Sequence, residues 1–329
     1  MWSYIARRLV YSFLTLVAVS VVSFIIIQLP PGDFLTSLMS KYAEQGGGEI
    51  DQGVLESLQL RYGLDQPWYV QYWLWISGIV FHGDFGQSFA WNKPVSELMW
   101  DRMGLTLLLS LVALIVTWLV ALPIGIYSAV RRYSALDYVV TFLGFIGLAI
   151  PSFLLSLALM YVLSRYAGMS VGGLFSASYI NAPWSWGKVL DLAAHLWLPV
   201  LVLSTSGTAA LIRVMRANLI DELHKPYVQT ARANGLGEME LLFKYPVRVA
   251  LNPFVSTIGW VLPHLFSGAV IVSVVLSLPT AGPVLLSALL SQDMYLAGSF
   301  IMVLSVLTVI GTLISDLLLA WLDPRVRYQ

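Results

Sequence analysis

Apolar stretches alternate along this chain with polar ones, and their lengths set the first expectation. Six apolar runs, at 9–29, 105–130, 138–163, 195–212, 249–277 and 296–322, match the roughly 20 residues that a helix needs to cross hydrocarbon. The pattern predicts an all-α polytopic membrane protein with six transmembrane helices. Arg7 and Arg8 precede the first run as they would in a signal peptide. Its apolar stretch is longer than such a segment carries, and no small-residue cleavage site follows, so it is read as a retained helix. The chain then divides into 1–29, an amino-terminal end with the first span; 30–104, a long loop; 105–322, a core of five helices with a polar excursion at 214–248; and 323–329, a tail.

Lysine and arginine orient the bundle. An even number of crossings puts both ends on one side of the membrane. One set of loop ends carries Arg7, Arg8, Arg131, Arg132, Arg213, Arg216, Lys225, Arg232, Lys244, Arg248, Arg325 and Arg327, and the other only Lys41, Arg61, Lys93, Arg102, Arg165 and Lys188. Basic residues collect on the cytoplasmic side, so both termini are expected there and the 30–104 loop outside. That loop opens on "PPGDF", passes a glycine run at 46–48 and predicts a helix over 49–61. In "QPWYVQYWLWISGIVFHGDFGQSF" the residues Trp68, Tyr69, Tyr72, Trp73 and Trp75 are too dense for a solvated loop and too few to span. They predict a helix lying at the outer interface, with a ligand-stacking surface as the alternative. His82 and Asp84 lack further ligands at metal-binding spacing.

Composition agrees with the pattern. The chain is 58% hydrophobic and 11% charged, with mean hydropathy +0.78, where a soluble domain carries about a quarter charged residues. A net charge of zero gives no reason to expect nucleic acid. The absence of cysteine excludes disulfides, thiolate metal sites and a cysteine nucleophile.

Candidate path residues lie where the apolar runs are interrupted. Pro123, Pro151, Pro199, Pro253 and Pro263 fall within them. Each removes a backbone hydrogen bond, which suits bends and cavities, although proline is common in membrane helices in any case. Near them lie Ser204, Ser206, Thr208, Ser256, Ser267, Ser273 and the ionisable His264, which either line a translocation path or pack helices together. Asp316 is the one acid within an apolar run, so no proton relay is evident. No GxxxxGK[ST] phosphate loop occurs. Moving a solute up a ten-thousandfold gradient costs about 5.5 kcal/mol, so a driver has to bind from the cytoplasm.

The polar stretch "DELHKPYVQTARANGLGEMELLFKYPVR" at 221–248 offers a place for it. Pro226 suits a first helical turn, "PYVQTARAN" makes about two turns, and Gly235 supplies a left-handed residue to end them. "EMELLFK" predicts a second short helix. An exposed Tyr227, Ala231 and Leu236 are expected to form a small apolar surface for a partner's groove; a plain solvated loop is the alternative.

"YVQTARANGL" followed by "LLFKYPVRVALNP" resembles the EAA loop of ABC importer permeases, in the form written by the peptide/nickel type. The family's Glu-Ala-Ala falls on Gln229, Thr230 and Ala231, without the glutamate, and Val247-Arg248 stands for its Leu-Pro. "YIARRLVYSFLTLVAVSVVSFIIIQLPPGD", "HGDFGQSF", "SLPTAGPVLLSALLSQDM" and "SDLLLAWLDPRVRY" are similar to that subfamily's first helix, external Gly-Asp-x-Gly-x-Ser, last re-entrant segment and carboxy-terminal tail.

The resemblance implies the type I importer permease fold, in the inner or plasma membrane of a prokaryote. It implies coupling to ATPase subunits through Tyr227, Gln229, Thr230, Ala231, Arg232, Gly235 and Leu236, and an external gate around Pro279, Gly282 and Asp293. The implied partners are a second permease, usually a different chain, two cytoplasmic ATP-binding subunits and an external solute-binding protein. ATP would be bound by those subunits, leaving this chain non-catalytic and without a cofactor or metal. Cargo would be peptides or related small solutes, with oligosaccharides as the alternative. A secondary transporter would need an internal repeat and coupling groups. A membrane enzyme would need a constellation that the scattered His82, His195, His224 and His264 do not assemble.

Overall fold

The computed structural model describes residues 2–28, 66–88, 90–169, 172–252, 254–256, 270–291 and 293–322. Among them the helices are α1 (Trp2–Gln28), α2 (Trp68–Ser77), α3 (Val95–Val130), α4 (Ala135–Ala149), α5 (Ser152–Ala167), α6 (Trp186–Leu223), α7 (Pro226–Ala233), α8 (Glu238–Lys244), α9 (Pro246–Ala250), α10 (Ala281–Leu290) and α11 (Met294–Leu322). A two-stranded ribbon, β1 (Gln87–Ser88) with β2 (Lys93–Pro94), pairs antiparallel. The helix expected over 49–61, His264, Ser267, Pro253, Pro263, the tail at 323–329 and residues 257–269 of the run at 249–277 lie outside the described residues.

Four described helices are long and apolar enough to cross a membrane: Ile5–Ile26, Val95–Val130, Trp186–Leu223 and Tyr295–Ala320. The run expected to span at 138–163 bends where Pro151 interrupts it. It is two helices, α4 and α5, bent by 101°. Pro151 carries no N–H, and its ring pushes the preceding residue out of the helical region. Ile150 accordingly adopts φ −83° and ψ 119°. Pro123 and Pro199, by contrast, remain inside continuous helices. α3 and α6 also outrun the apolar stretches that announced them, with 36 and 38 residues, about 54 and 57 Å at 1.5 Å per residue. At the start of α6, Ser185 accepts a hydrogen bond from the Lys188 amide, an N-cap that apolar pattern alone does not reveal.

The chain forms two compact units. In the unit made of 1–12, 104–283 and 307–329, small residues let the long helices approach. A Cβ on Gly125 would stand 2.7 Å from Met215 Cβ, and one on Gly147 would stand 3.2 Å from Thr205 Cγ2, so α6 is held by α3 on one side and α4 on another. Leu109, Leu192, Leu198, Val202 and Leu276 form one buried cluster. Ala121, Ala129, Leu211, Met215, Leu219 and Phe254 belong to another. Arg8 pairs with Asp316 at 3.2 Å, which gives the acid found within the last apolar run a partner near the start of α1.

In the unit made of 13–103 and 284–306, α2 packs one aromatic face on α1. Phe24 meets Tyr72 and Trp75 at ring-centroid distances of 5.5 and 5.9 Å, and Ser20 shares a 2.7 Å hydrogen bond with the Tyr72 hydroxyl. Trp68, Tyr69 and Trp73 stay exposed.

Candidate functional site

The 221–248 stretch folds as a helical hairpin. α7 begins with Pro226 at its first position, where the missing N–H costs nothing. It ends in a Schellman cap, in which the Gly235 amide donates to the Arg232 carbonyl and the Leu236 amide to the Ala231 carbonyl. The cap requires a left-handed residue, and Gly235 has φ +79°. Opposite, α8 returns across a two-point clamp. Arg232 Nε donates to Glu238 Oε1 at 2.6 Å and its Nη2 to Oε2 at 3.0 Å. That contact holds the Glu238 carboxyl below the ordinary glutamate range and raises Arg232.

The hairpin has a core of its own. Val228, Ala231 and Leu241 are buried, with Leu236 and Tyr245 packed against them. The expected outward face is therefore corrected: Ala231 is 8% exposed and Leu236 half-buried. A Schellman cap places a hydrophobic contact between the residues at these two positions, so the turn consumes both side chains. Tyr227 does remain at the surface, where its hydroxyl donates to Glu222 at 2.6 Å. Partial burial and that carboxylate push its phenol up, keeping it a donor. Gln229, Thr230 and Arg232 are exposed as well.

Two functional candidates were missed, Met239 and Phe243, 69% and 54% exposed on α8. The signal was available: an apolar pair at i and i+4 shares one helix face, here among Glu238, Glu240 and Lys244. Beside them a groove of about 460 Å³ is lined by Arg132, His224, Gln229, Arg232 and Met239, among others. Behind the hairpin, Leu242, Val247 and Ala250 enter the cluster formed by Ala121 and Ala129 of α3 and Met215 and Leu219 of α6. A push on α8 therefore reaches two long helices through close-packed side chains.

The remaining predicted residues fall into separate places. Ser204 and Thr208 share a face of α6, while Ser206, two residues from each, points about 200° away. Ser204 returns its hydroxyl to the Leu201 carbonyl, and Ser273 is buried. At the start of α10 the Ala281 amide donates to Thr106 Oγ1 at 2.8 Å. A Cβ on Gly282 would stand 2.9 Å from Val270 Cα, so close backbone approach demands the glycine.

Asp293 ends up in a clasp built from "HGDFGQSF". Its Oδ2 accepts from Ser88 Oγ at 2.6 Å and from the Ala90 amide at 3.1 Å, and its Oδ1 from the Leu296 amide at 3.3 Å. Asp84 closes the preceding turn by accepting from the Gly86 amide. Gly86 has φ +88°, and a Cβ there would stand 3.0 Å from the Tyr295 ring. The glycines and serine of that segment thus have local reasons.

Comparison with known proteins now decides the family. Residues 121–328 match the family described as binding-protein-dependent transport system inner membrane component, and residues 1–110 match the amino-terminal family of such membrane components. The chain belongs to this permease family. It is 38% identical over 329 residues to the oligopeptide transport system permease protein AppB of Bacillus subtilis (strain 168), covering 100% of both chains. It is 30% identical over 339 residues to the probable D,D-dipeptide transport system permease protein DdpB of Escherichia coli (strain K12), covering 99% of this chain and 97% of that one. The dipeptide transport system permease protein DppB of Alkalihalophilus pseudofirmus is 28% identical over 342 residues, with full coverage of both. The permease is thus a multi-pass inner-membrane component of a binding-protein-dependent ABC transport system, and a non-catalytic one.

Proposed function

We propose that this permease forms half of the translocation path of an ATP-driven importer for peptides or related small solutes, and that the α7–α8 hairpin is its grip for a cytoplasmic ATP-binding subunit. Such an importer has two permeases, two ATP-binding subunits and an external solute-binding protein. ATP-driven closure of the ATPase pair draws the hairpins together and turns the path outward; hydrolysis resets it. This is a two-state element biased by differential contacts at the hairpin. ATP stays on the partner subunits, and this chain needs no cofactor of its own.

The observation that carries the reading is the hairpin's construction. It is capped, cored and bolted to α3 and α6, yet leaves Tyr227, Met239 and Phe243 on its outer surface. Apolar side chains left outside a finished core mark a contact surface. Gln229, Thr230 and Arg232 flank it, while Gly235, Ala231 and Leu236 act by shaping the turn. Cargo is inferred from relatives named as oligopeptide and dipeptide permeases.

The six-span arrangement with both termini cytoplasmic is supported by the lysine and arginine distribution. The Arg8–Asp316 pair adds support by joining the start of α1 to the far part of α11.

The test is co-purification of the ATP-binding subunits together with cargo uptake in the same cells. Met239→Asp combined with Phe243→Asp is expected to leave membrane levels of the permease unchanged while both subunit binding and uptake fall by tenfold or more, about 1.4 kcal/mol or above. Wild-type binding and uptake in that variant would remove the hairpin from the coupling role. In this cysteine-free chain, a single cysteine at Gly237 is expected to be shielded from an impermeant thiol reagent in intact cells. Labelling from outside would reverse the orientation.

A further inference from the structure

Between α4 and α6 runs a groove of about 300 Å³ that the coupling reading does not use. Its floor is apolar, with Phe145, Leu148 and Ile212 among its lining, and at its other end stand Tyr133, Tyr138 and Arg213. The two helices run antiparallel here. Asp137 meets Arg216, whereas Gly144 faces Ala209 and Gly147 faces Thr205. The polar groups therefore gather at one end of the groove and the apolar ones extend away from them.

The charges at that end do not cancel. Asp137 is 2% exposed and fully engaged: Arg216 Nε and Nη2 each donate to it at 2.8 Å, and the Tyr133 amide donates at 2.9 Å. Arg216 and Asp137 neutralise each other. Arg213, nearly one turn earlier on α6, lines the same groove and pairs with no acidic group among the described residues. The preceding residues 196–212 carry no charge, which is about 25 Å of helix. Arg213 thus stands where the apolar part of α6 ends, at the depth of lipid headgroups. The outer face of α4 beside the groove is a continuous apolar surface of Val139, Phe142, Leu143 and Phe145, all more than half exposed.

We propose that this groove holds an anionic phospholipid, with its phosphate on the Arg213 guanidinium beside the Tyr133 and Tyr138 hydroxyls and an acyl chain along Phe145 and Leu148. An uncompensated cation above an apolar trough complements a molecule that is anionic at one end and apolar along its length.

The full chain in nanodiscs of phosphatidylethanolamine with a minority of phosphatidylglycerol provides the test, with p-benzoylphenylalanine replacing Phe145. Illumination is expected to give phosphatidylglycerol adducts enriched about fivefold over that lipid's bulk share. Arg213→Gln should return the adducts to the bulk share, while Arg213→Lys should keep most of the enrichment. Arg248→Gln, an exposed cation that lines neither groove, should leave it unchanged. Adducts at the bulk share in the unsubstituted background overturn the proposal. So does an equal fall in the Arg248 variant, which would mean general surface charge, or cross-linking to a second polypeptide in the assembled complex. The readout is lipid rather than transport, so it succeeds or fails independently of the importer reading.

Discussion

The α7–α8 hairpin and the clasp at 83–95 solve the same local problem with opposite outcomes. Each bends a short polar segment around a glycine of positive φ, Gly235 in one and Gly83 and Gly86 in the other, and each ties its turn with side-chain oxygens. The clasp buries the groups that tie it: Ser88, Val95, Asp293 and Ser299 are buried, the first to 0% exposure, while Trp91 at its turn is 46% exposed. The hairpin satisfies its backbone internally but leaves Tyr227, Met239 and Phe243 outside. A turn whose polar ties are buried in long-range contacts holds a shape. A turn that finishes its core and still displays apolar side chains presents a surface to something else.

The comparison breaks most visibly at Asp293. Replacing it with alanine strands three donors, the Ser88 hydroxyl and the amides of Ala90 and Leu296, with Ser88 and Leu296 fully buried. The expected cost is about 3 to 5 kcal/mol, seen as a lower Tm and poor recovery of solubilised permease. Asp293→Asn, which keeps one acceptor oxygen, should lose roughly half as much. A wild-type Tm in the alanine variant would mean that the clasp holds nothing.

Ala231→Asp probes the hairpin's inner side in the same way. Because Ala231 packs against Val228 and Leu241, the new carboxylate enters a small core, at about 2 to 4 kcal/mol. The hairpin is expected to open locally, with faster hydrogen exchange at the Leu236 amide and loss of ATPase-subunit binding. The outer substitutions at Met239 and Phe243 should abolish binding without that change in exchange. If Ala231→Asp left exchange slow, Ala231 would belong to the contact surface after all.

How much of this was legible in the sequence depended on how local the cause was. Pro226, Asn234 and Gly235 announced the hairpin because a cap is written in consecutive residues. The same motif assigned Leu236 and Ala231 to each other, but apolar character alone made them look like a docking face. Pro151 broke its helix while Pro123 and Pro199 did not. Whether neighbouring helices absorb the lost hydrogen bond is a tertiary matter that the residue itself does not record. The Ser88–Asp293 bond joins positions 205 residues apart, and nothing in either segment names the other. Family membership was legible end to end, because short motifs recur in both matched regions.

A smaller effect is expected at Gly235. The space around it is open, with no atom within 4 Å of an added Cβ, so only its φ of +79° resists substitution. Gly235→Val should cost about 1 to 3 kcal/mol and misaim α8, lowering subunit binding and uptake together while membrane insertion survives. Gly235→Asn, which tolerates the left-handed region, should sit much nearer to wild type. Equal loss in both variants would point to a requirement for bare backbone at the contact rather than for the turn.

The smallest effect belongs to the exposed clamp between Arg232 and Glu238. Arg232 holds the Glu238 carboxyl below its ordinary range, so the pair's contribution is fully present above the unfolded glutamate value, about 4.3. It is lost as pH falls through the lowered folded value. Arg232 is raised and stays charged throughout, adding no pH dependence in that window. Both groups face solvent, where ion pairs contribute little and salt screens them. Protection of the Leu236 amide, measured against its intrinsic exchange rate at each pH, should therefore fall modestly on acidification, less so at high salt, and Arg232→Gln should remove that pH-dependent loss. The clasp's exposed pair, Lys93 with Glu97 at 2.6 Å, takes no part in the Asp293 bonds, so the Leu296 amide should not follow the same salt dependence. A salt-insensitive acid transition at Leu236 that survives Arg232→Gln would show that the clamp is incidental and that the Schellman cap alone closes the hairpin.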